Sequence, residues 1–445
     1  MLIKSDIVRR LVKNSGYLFS ATGISAALSL LQSILIARLV GVFGVGLLGT
    51  ITMFASVVNN FASFRMNELV VKYVGHFSET GEPEKAAAVF KAAAFSEMLA
   101  SIFAFALIWL LAPLGSKYLA KDPTLAYWFV IYGLIVLANL ISESSTGLLQ
   151  IFDRYRRMAS LTVVQSLFTL AVIGLAYVNH GGMLEILLAY LGGKTIGALG
   201  LTIAALIEAA RRWGRDWWRA PLNLLRPQAR ELVHFAISTN LSGSLSLINK
   251  ASELLWVSVF RSPLEAGYYK TAMAIVNLVQ MPVTPLPQAT YPELSRAAAR
   301  KNWESFRYVL RQGAWLAGAF TLAAAVVLLV FGRPLILLLY KKPEFLPAYP
   351  ALMILLAGFL VANTFYWNRV GLLALGRPDY PTKVNFILAV LKVVGVILLV
   401  PRFGYLASAA LFAGSYILGT SVSAWKIYSL LPKPEAVDSR SSASG

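Results

Sequence analysis
The sequence predicts an all-α, polytopic membrane protein whose twelve transmembrane helices form two parallel-repeat, six-helix lobes around a central cavity. Three observations carry this prediction. Of the 445 residues, 58% are hydrophobic and only 14% charged, with a mean hydropathy of +0.66, whereas a soluble domain carries roughly 25% charged residues. Apolar stretches of about 20 residues, enough to cross a bilayer, recur twelve times. The two halves of the chain also share short motifs, separated by about half its length.

The spans fall near 14–37, 45–73, 88–112, 126–149, 159–178, 183–207, 234–260, 265–293, 312–331, 347–375, 382–400 and 404–428. The first is too long and too polar for a signal-peptide core and lacks a small-residue cleavage site, so it is expected as an uncleaved helix. Span 8 places Pro282, Pro285 and Pro287 between Gln280 and Gln288. Proline at that density removes backbone donors and bends a helix.

With the amino terminus in the cytoplasm, the inside segments collect Lys4, Arg9, Arg10 and Lys13, then Lys85 and Lys91, then Arg154, Arg156 and Arg157. They also take the arginines from Arg211 to Arg230 and the basic group from Arg296 to Arg311. The outside segments hold far fewer, among them Arg38, Lys117, Lys121, Arg261 and Arg333. This bias predicts both termini in the cytoplasm.

Ser25-x-x-Leu28-Ser29-Leu30 in span 1 recurs as Ser242-x-x-Leu245-Ser246-Leu247 in span 7. Ala138-Asn139 with Gly147-Leu148-Leu149 in span 4 recurs as Ala362-Asn363 with Gly371-Leu372-Leu373 in span 10. The offsets are 217 and 224 residues. Six spans per copy, an even number, give both copies the same direction, related by an axis along the membrane normal. The chain divides into a first lobe (1–207), a cytoplasmic linker (208–233), a second lobe (234–431) and a Ser- and Pro-rich tail (432–445) expected to be disordered. In the linker Arg211, Arg212, Arg215 and Arg219 interleave with Trp213, Trp217 and Trp218. That composition suits a helix lying on the anionic lipids of the cytoplasmic face. Nucleic-acid stacking uses similar residues, but a linker tethered at both ends to membrane spans argues against a nucleic-acid partner.

Several enzyme classes are closed. Without cysteine there is no disulfide framework, thiolate zinc site or cysteine nucleophile. His76, His180 and His234 are isolated from one another in sequence, so no metal site and no cofactor are expected. Gly44-Val45-Gly46-Leu47-Leu48-Gly49 satisfies a dinucleotide-binding pattern formally, but it joins two spans instead of following a strand.

A net charge of +19 in so apolar a chain sits in loops, or inside the bundle at a cost. Span 7 carries Thr239, Ser242, Ser246, Asn249, Lys250 and Glu253 on roughly one third of its circumference. Span 1 repeats the stripe with Thr22, Ser25, Ser29, Gln32 and Ser33, although Ser and Thr also serve close helix packing. Lys250, Lys194, Arg369 and Lys392 stand far from span ends, where snorkelling is difficult. Arg65, Glu68 and Lys72 have the spacing of a helical charge network, and Lys270 lies close enough to the outer end of span 8 to reach the interface. A cavity lined by the surplus cations would trap an anion, above all a phosphate or pyrophosphate, which guanidinium binds bidentately.

Read together, Ile36-Ala37-Arg38-Leu39-Val40-Gly41, Gly46-Leu47-Leu48-Gly49, Gly147-Leu148-Leu149-Gln150, Gln288-Ala289-Thr290-Tyr291-Pro292-Glu293-Leu294-Ser295 and Gly371-Leu372-Leu373-Ala374-Leu375-Gly376-Arg377 resemble the Wzx-like polysaccharide or lipid-linked oligosaccharide flippases. These belong to the multidrug/oligosaccharidyl-lipid/polysaccharide (MOP) exporter superfamily. The resemblance runs from Lys13-Asn14 through span 12 and implies a MATE-like MOP fold in the bacterial cytoplasmic membrane. It implies a non-enzymatic flippase that moves a polyprenyl-pyrophosphate-linked glycan to the outer leaflet by alternating access, with glycan polymerases and glycosyltransferases as possible partners. Arg65 departs from the small or uncharged residue expected at its place.

On this reading Lys250, Arg369, Lys194 and Lys392 neutralise the pyrophosphate, while Asn249, Gln32, Asn363 and Trp367 contact sugars. Glu143, Glu97 and Glu253 are candidates for coupling to a proton or sodium ion. The alternatives are a MATE-like drug exporter, with an acid at the cavity centre, a membrane glycan polymerase or ligase, with a large catalytic outside loop, and a non-transporting scaffold. The outside segments 113–126 and 332–346 are short and hold no histidine.

Overall fold
The computed structural model describes residues 2–62, 66–237, 252–377 and 379–432, with side chains from residue 20 onward. Among these residues every regular element is helical. α1 (Leu2–Ala62) contains spans 1 and 2, joined at Gly41 with φ 68° and ψ −176°. At the far end of the chain, α14 (Asp379–Leu430) contains spans 11 and 12, joined at Gly404 with φ 63° and ψ −146°. Both corners need positive φ, which glycine adopts without the Cβ penalty.

Between them run α2 (Met66–Glu79), α3 (Pro83–Gly115), α4 (Ala126–Ala138), α5 (Ser142–Ile151), α6 (Tyr155–Val178) and α7 (Met183–Trp213). They are followed by α8 (Glu253–Phe260), α9 (Pro263–Gln280), α10 (Leu286–Ala299), α11 (Trp303–Tyr340), α12 (Ala348–Thr364) and α13 (Asn368–Ala374). Among the described residues, eight helical segments are long and apolar enough to cross a membrane. Two of them hold two spans each, and the other six correspond to spans 3–6, 9 and 10. Most of span 7, residues 238–251, lies outside the described residues. Span 8 is α9 and α10, separated by a turn at 281–285 that contains Pro282 and Pro285, as proline chemistry requires.

Spans 4 and 10 are each broken, at 139–141 between α4 and α5 and at 365–367 between α12 and α13. The duplicated motifs sit on these breaks, with Ala138-Asn139 entering the first and Ala362-Asn363 lying just before the second. An interrupted helix inside a membrane needs partners for its freed backbone groups.

The helices group into two compact units, residues 1–271 with 337–345 and residues 272–336 with 346–445. Segments 252–271 and 337–345, which helix counting placed in the second lobe, pack with the first unit. Its core gathers Phe77, Phe90, Leu148 and Leu149 from α2, α3 and α5. The linker folds onto this core instead of forming one interfacial helix. Trp213 and Trp217 lie 6.0 and 5.3 Å from Phe90 between ring centroids, and the chain then makes two 3-10 turns, Trp217–Arg219 and Leu222–Gln228. Lys91 Nζ donates to the Ala220 carbonyl at 3.1 Å and ties the linker to α3. The second unit packs Phe306, Leu310, Tyr366, Trp367 and Ile427 into its own core.

Candidate functional site
A polar cavity of about 580 Å³ opens in the first unit beside the α4–α5 break. α1 and α2 contribute Asn59, Asn67 and Glu68, α3 contributes Glu97 and Ser101, and the broken helix contributes Asn139, Ser142, Glu143 and Thr146. Carboxylates, amides and hydroxyls inside so apolar a bundle are costly unless satisfied.

Glu97 shows how the cost is met. The residue is 4% exposed, and its carboxylate accepts the Glu143 N–H at 2.8 Å, the Ser144 N–H at 2.9 Å and the Ser144 hydroxyl at 2.6 Å. The first amides of a helix have no intrahelical acceptor, and an anion there meets the positive end of the helix dipole. Glu97 therefore closes the break that opens at Asn139. Glu68 and Glu143 line the same cavity.

The duplication supplies an internal comparison. Val89-Phe90-Lys91 of α3 matches Val309-Leu310-Arg311 of α11 at an offset of 220, so Glu97 corresponds to Ala317 and Ser101 to Thr321. At the motif offset of 224, Asn139 corresponds to Asn363 and Glu143 to Trp367. In the second unit the Asn363 amide donates to the Thr321 hydroxyl at 3.2 Å, and Trp367 is fully enclosed. The repeat thus keeps the break in both copies but keeps these two carboxylates only in the first.

The sequence-derived site residues separate into groups. Gln32 is buried and donates to the Ser166 carbonyl at 2.9 Å. Trp367 packs edge-on against Phe365 and Tyr428, with centroids at 5.6 and 5.9 Å. An enclosed indole offers no ring face to a sugar, so Trp367 is a core residue, and Gln32 and Asn363 are helix-packing amides. Lys392 is buried too, its ammonium 5.2 Å from the Phe412 ring centroid in cation–π geometry. Lys194 on α7 and Arg369 on α13 are exposed, and among the described residues no carboxylate pairs with either. Glu253 is buried in the first turn of α8. Lys250, Asn249 and Arg65 lie outside the described residues. Lys72 reaches Glu231 at 3.6 Å and the Tyr73 hydroxyl at 3.1 Å.

A second feature, which helix counting missed, is a clasp at the end of the first unit that carries Gly41. Arg38 Nε donates to the Leu339 carbonyl at 2.8 Å, and Glu344 Oε1 accepts the Val42 N–H at 3.2 Å. Lys121 Nζ donates to the Val259 carbonyl at 2.6 Å. Gly46 lies so close to Pro263 and Gly267 that any Cβ would overlap the Pro263 carbonyl oxygen, and a Cβ on Gly267 would overlap the Val42 carbonyl. The formal dinucleotide pattern is thus part of a close helix-packing surface built from small residues.

Comparison with known proteins agrees with this architecture. A solved structure described as the inward-facing conformation of a multidrug resistance MATE family transporter of the MOP superfamily superposes with a TM-score of 0.70, covering 93% of this chain and 96% of that one at 14% identity. The lipid II flippase MurJ in an inward closed conformation gives 0.72 over 92% of this chain and 87% of that one, at 17% identity. Among sequences, the inner membrane protein YghQ of Escherichia coli is 23% identical over 341 residues, which are 77% of this chain and 95% of that protein. A probable lipid II flippase MurJ of Synechocystis sp. is 24% identical over 259 residues, 54% of this chain and 47% of that protein.

These helices and paired breaks define a multi-pass helical membrane protein with the fold that those MATE and MurJ structures share. More narrowly, residues 11–298, over half the chain, match the family described as polysaccharide biosynthesis protein, and the chain belongs to that family. Residues 241–398 also match the family described as MatE.

Proposed function
We propose that the protein is a flippase that carries polyprenyl-pyrophosphate-linked oligosaccharide units from the inner to the outer leaflet of a bacterial cytoplasmic membrane, with both termini inside, for cell-surface polysaccharide synthesis. The observation that carries this reading is the match of residues 11–298 to the polysaccharide biosynthesis family. Two features support it. Lys194 and Arg369 are exposed cations without carboxylate partners among the described residues, suited to a pyrophosphate. The amides and carboxylates around Asn139 and Glu97 are acceptors and donors suited to sugar hydroxyls. An anion leaving an inside-negative cell gains roughly 2.3 kcal/mol per charge per 100 mV, so the membrane potential can drive the step.

The three carboxylates on the polar cavity favour a second reading, export of a cationic compound, which the MatE match of residues 241–398 also supports. Parallel scanning separates the two. Under the flippase reading Lys194→Ala and Arg369→Ala lower glycan export at normal protein levels and leave cationic-drug resistance unaltered. Drug efflux that depends on Glu68 and Glu143, with glycan export intact in the cation variants, would establish the second reading instead.

A further inference from the structure
The first unit carries an apolar groove of about 350 Å³ between α2, α3 and the chain from Leu222 to Ile237. Ser96 is the one polar side chain among its lining residues. The linker wall is regular, with Leu222, Leu225, Ala229, Leu232 and Ala236 recurring every three or four residues, the spacing of one helical face. A soluble ligand would find almost nothing to hydrogen-bond.

What covers the groove follows from its two borders. Along α3 it continues into Phe95, Leu99, Ile102 and Phe103, all exposed, which is the face a bilayer covers. On the linker wall, Arg226 and Arg230 follow directly in sequence on the lining residues Leu225 and Ala229. Both arginines are exposed, and among the described residues no carboxylate pairs with them. Trp218, earlier in the same linker and 55% exposed, has the amphipathic character of a membrane-interface residue. The matching ligand has a hydrocarbon chain on the lipid side and a compact, multiply charged anion at the interface. Two guanidiniums four residues apart in sequence, each able to bind phosphate bidentately, suit a pyrophosphate better than a single phosphodiester.

We propose that this groove seats the leading isoprene units of the polyprenyl chain while Arg226 and Arg230 hold the pyrophosphate, so that the lipid-linked substrate is loaded here before its glycan is moved. The proposal rests on the flippase reading and adds to it a seat for the chain, which would otherwise stay in bulk lipid.

The chain has no cysteine, so Ala229→Cys places a single thiol on the groove wall. The full-length variant, held in phosphatidylcholine nanodiscs, is treated with a maleimide in the presence of undecaprenyl pyrophosphate, phosphatidylglycerol or inorganic pyrophosphate. By mass action, undecaprenyl pyrophosphate at ten times its Kd should slow labelling by about tenfold, while the other two probes leave it unchanged. Combining Arg226→Gln and Arg230→Gln should remove the protection, and a thiol placed by Lys301→Cys should never be protected. Ala92→Cys, on the facing α3 wall, repeats the measurement if the first variant does not fold. Equal protection by phosphatidylglycerol would overturn the proposal by making the groove an ordinary lipid seat. Absence of protection at both thiols in a protein that still exports lipid-linked glycan would overturn it and leave the flippase reading standing. Absence of protection together with absence of export would remove both.

Discussion

The hydroxyls of Thr50 and Ser258 meet at 2.6 Å in the buried interior of the first unit, although 208 residues separate them in sequence. Each also lies 2.9 Å from the carbonyl four residues earlier in its own helix, Gly46 and Leu254. A hydroxyl has one proton, so the contact requires one of the two to give up its own-helix bond in favour of the other. The pair lies one helical turn along α1 beyond Gly46, past the clasp formed by Arg38, Gly46, Pro263 and Glu344.

If substrate leaves at the clasped end, joining these two positions must stop transport. Paired hydroxyls this close suit a disulfide, whose Cβ atoms lie roughly 3.5–4.5 Å apart, and the chain has no other cysteine to interfere. Thr50→Cys with Ser258→Cys should transport when reduced and lose nearly all flux when oxidised, measured on one liposome preparation before and after reductant. Full flux in the cross-linked protein would show that the clasp need not part.

Gly46→Ala tests the same surface from the other side. Its Cβ overlaps the Pro263 carbonyl oxygen, and overpacking of this kind costs about 1–3 kcal/mol. The expected result is a lower melting temperature in detergent and faster labelling of a thiol introduced at Ser258.

Glu97→Ala leaves two amides and a hydroxyl at the start of α5 without their acceptor. Each orphaned buried group costs about 1–3 kcal/mol. Hydrogen exchange should rise across Ser142–Ile151 more than across α6. Glu97→Gln keeps the shape and one acceptor, and should lose less. Equal exchange in Ala and Gln variants would show that the carboxylate does not hold the break.

Glu208, with its side chain 1% exposed, is gripped by Arg154 at 2.7 Å and lies near Arg212 at 3.5 Å and Arg157 at 3.9 Å. Removing one partner of a buried ion pair costs roughly 3–5 kcal/mol. The arginines are 36–53% exposed, so the lower end of that range is expected for Glu208→Ala. Arg157→Ala should cost under about 1 kcal/mol by the same unfolding measurement.

Glu231 gives a pH prediction. The Tyr73 hydroxyl donates to it at 2.7 Å, and this bond, with the nearby Lys72 charge, holds its carboxyl below the ordinary glutamate value. A carboxylate depressed in the folded state stabilises fully above its unfolded pKa, and that contribution disappears as pH falls through the folded pKa. Melting curves of wild type and Glu231→Gln should differ at neutral pH and converge in acid. A gap that widens in acid would contradict this sign.

Much of this fold is legible in the residues because the bilayer imposes length. Spans 1 and 2 meet at Gly41 and spans 11 and 12 at Gly404, where a corner residue with positive φ was needed. The duplicated Ala-Asn motifs even mark the breaks. Side-chain direction was less legible, because a helix in lipid can be apolar all round and periodicity then fails to say which face is buried. Trp367 was assigned to sugar stacking on composition, yet it fills the place that Glu143 occupies in the other repeat. Glu97 was visible as an acid in span 3, but its role depends on Ser144, 47 residues away. The glycines near Gly46 match only a formal dinucleotide pattern in sequence, and their close approach to Pro263 shows only once the helices are packed.

The most direct test is flux of the proposed cargo through purified protein. Liposomes holding the protein and a fluorescent polyprenyl-pyrophosphate-linked oligosaccharide in one leaflet are followed for its appearance in the other by a membrane-impermeant quencher. The account predicts flux that tracks an imposed potential and falls sharply in Lys194→Ala and Arg369→Ala. Protein-free rates in the wild-type liposomes, with a cationic dye transported instead, would contradict it.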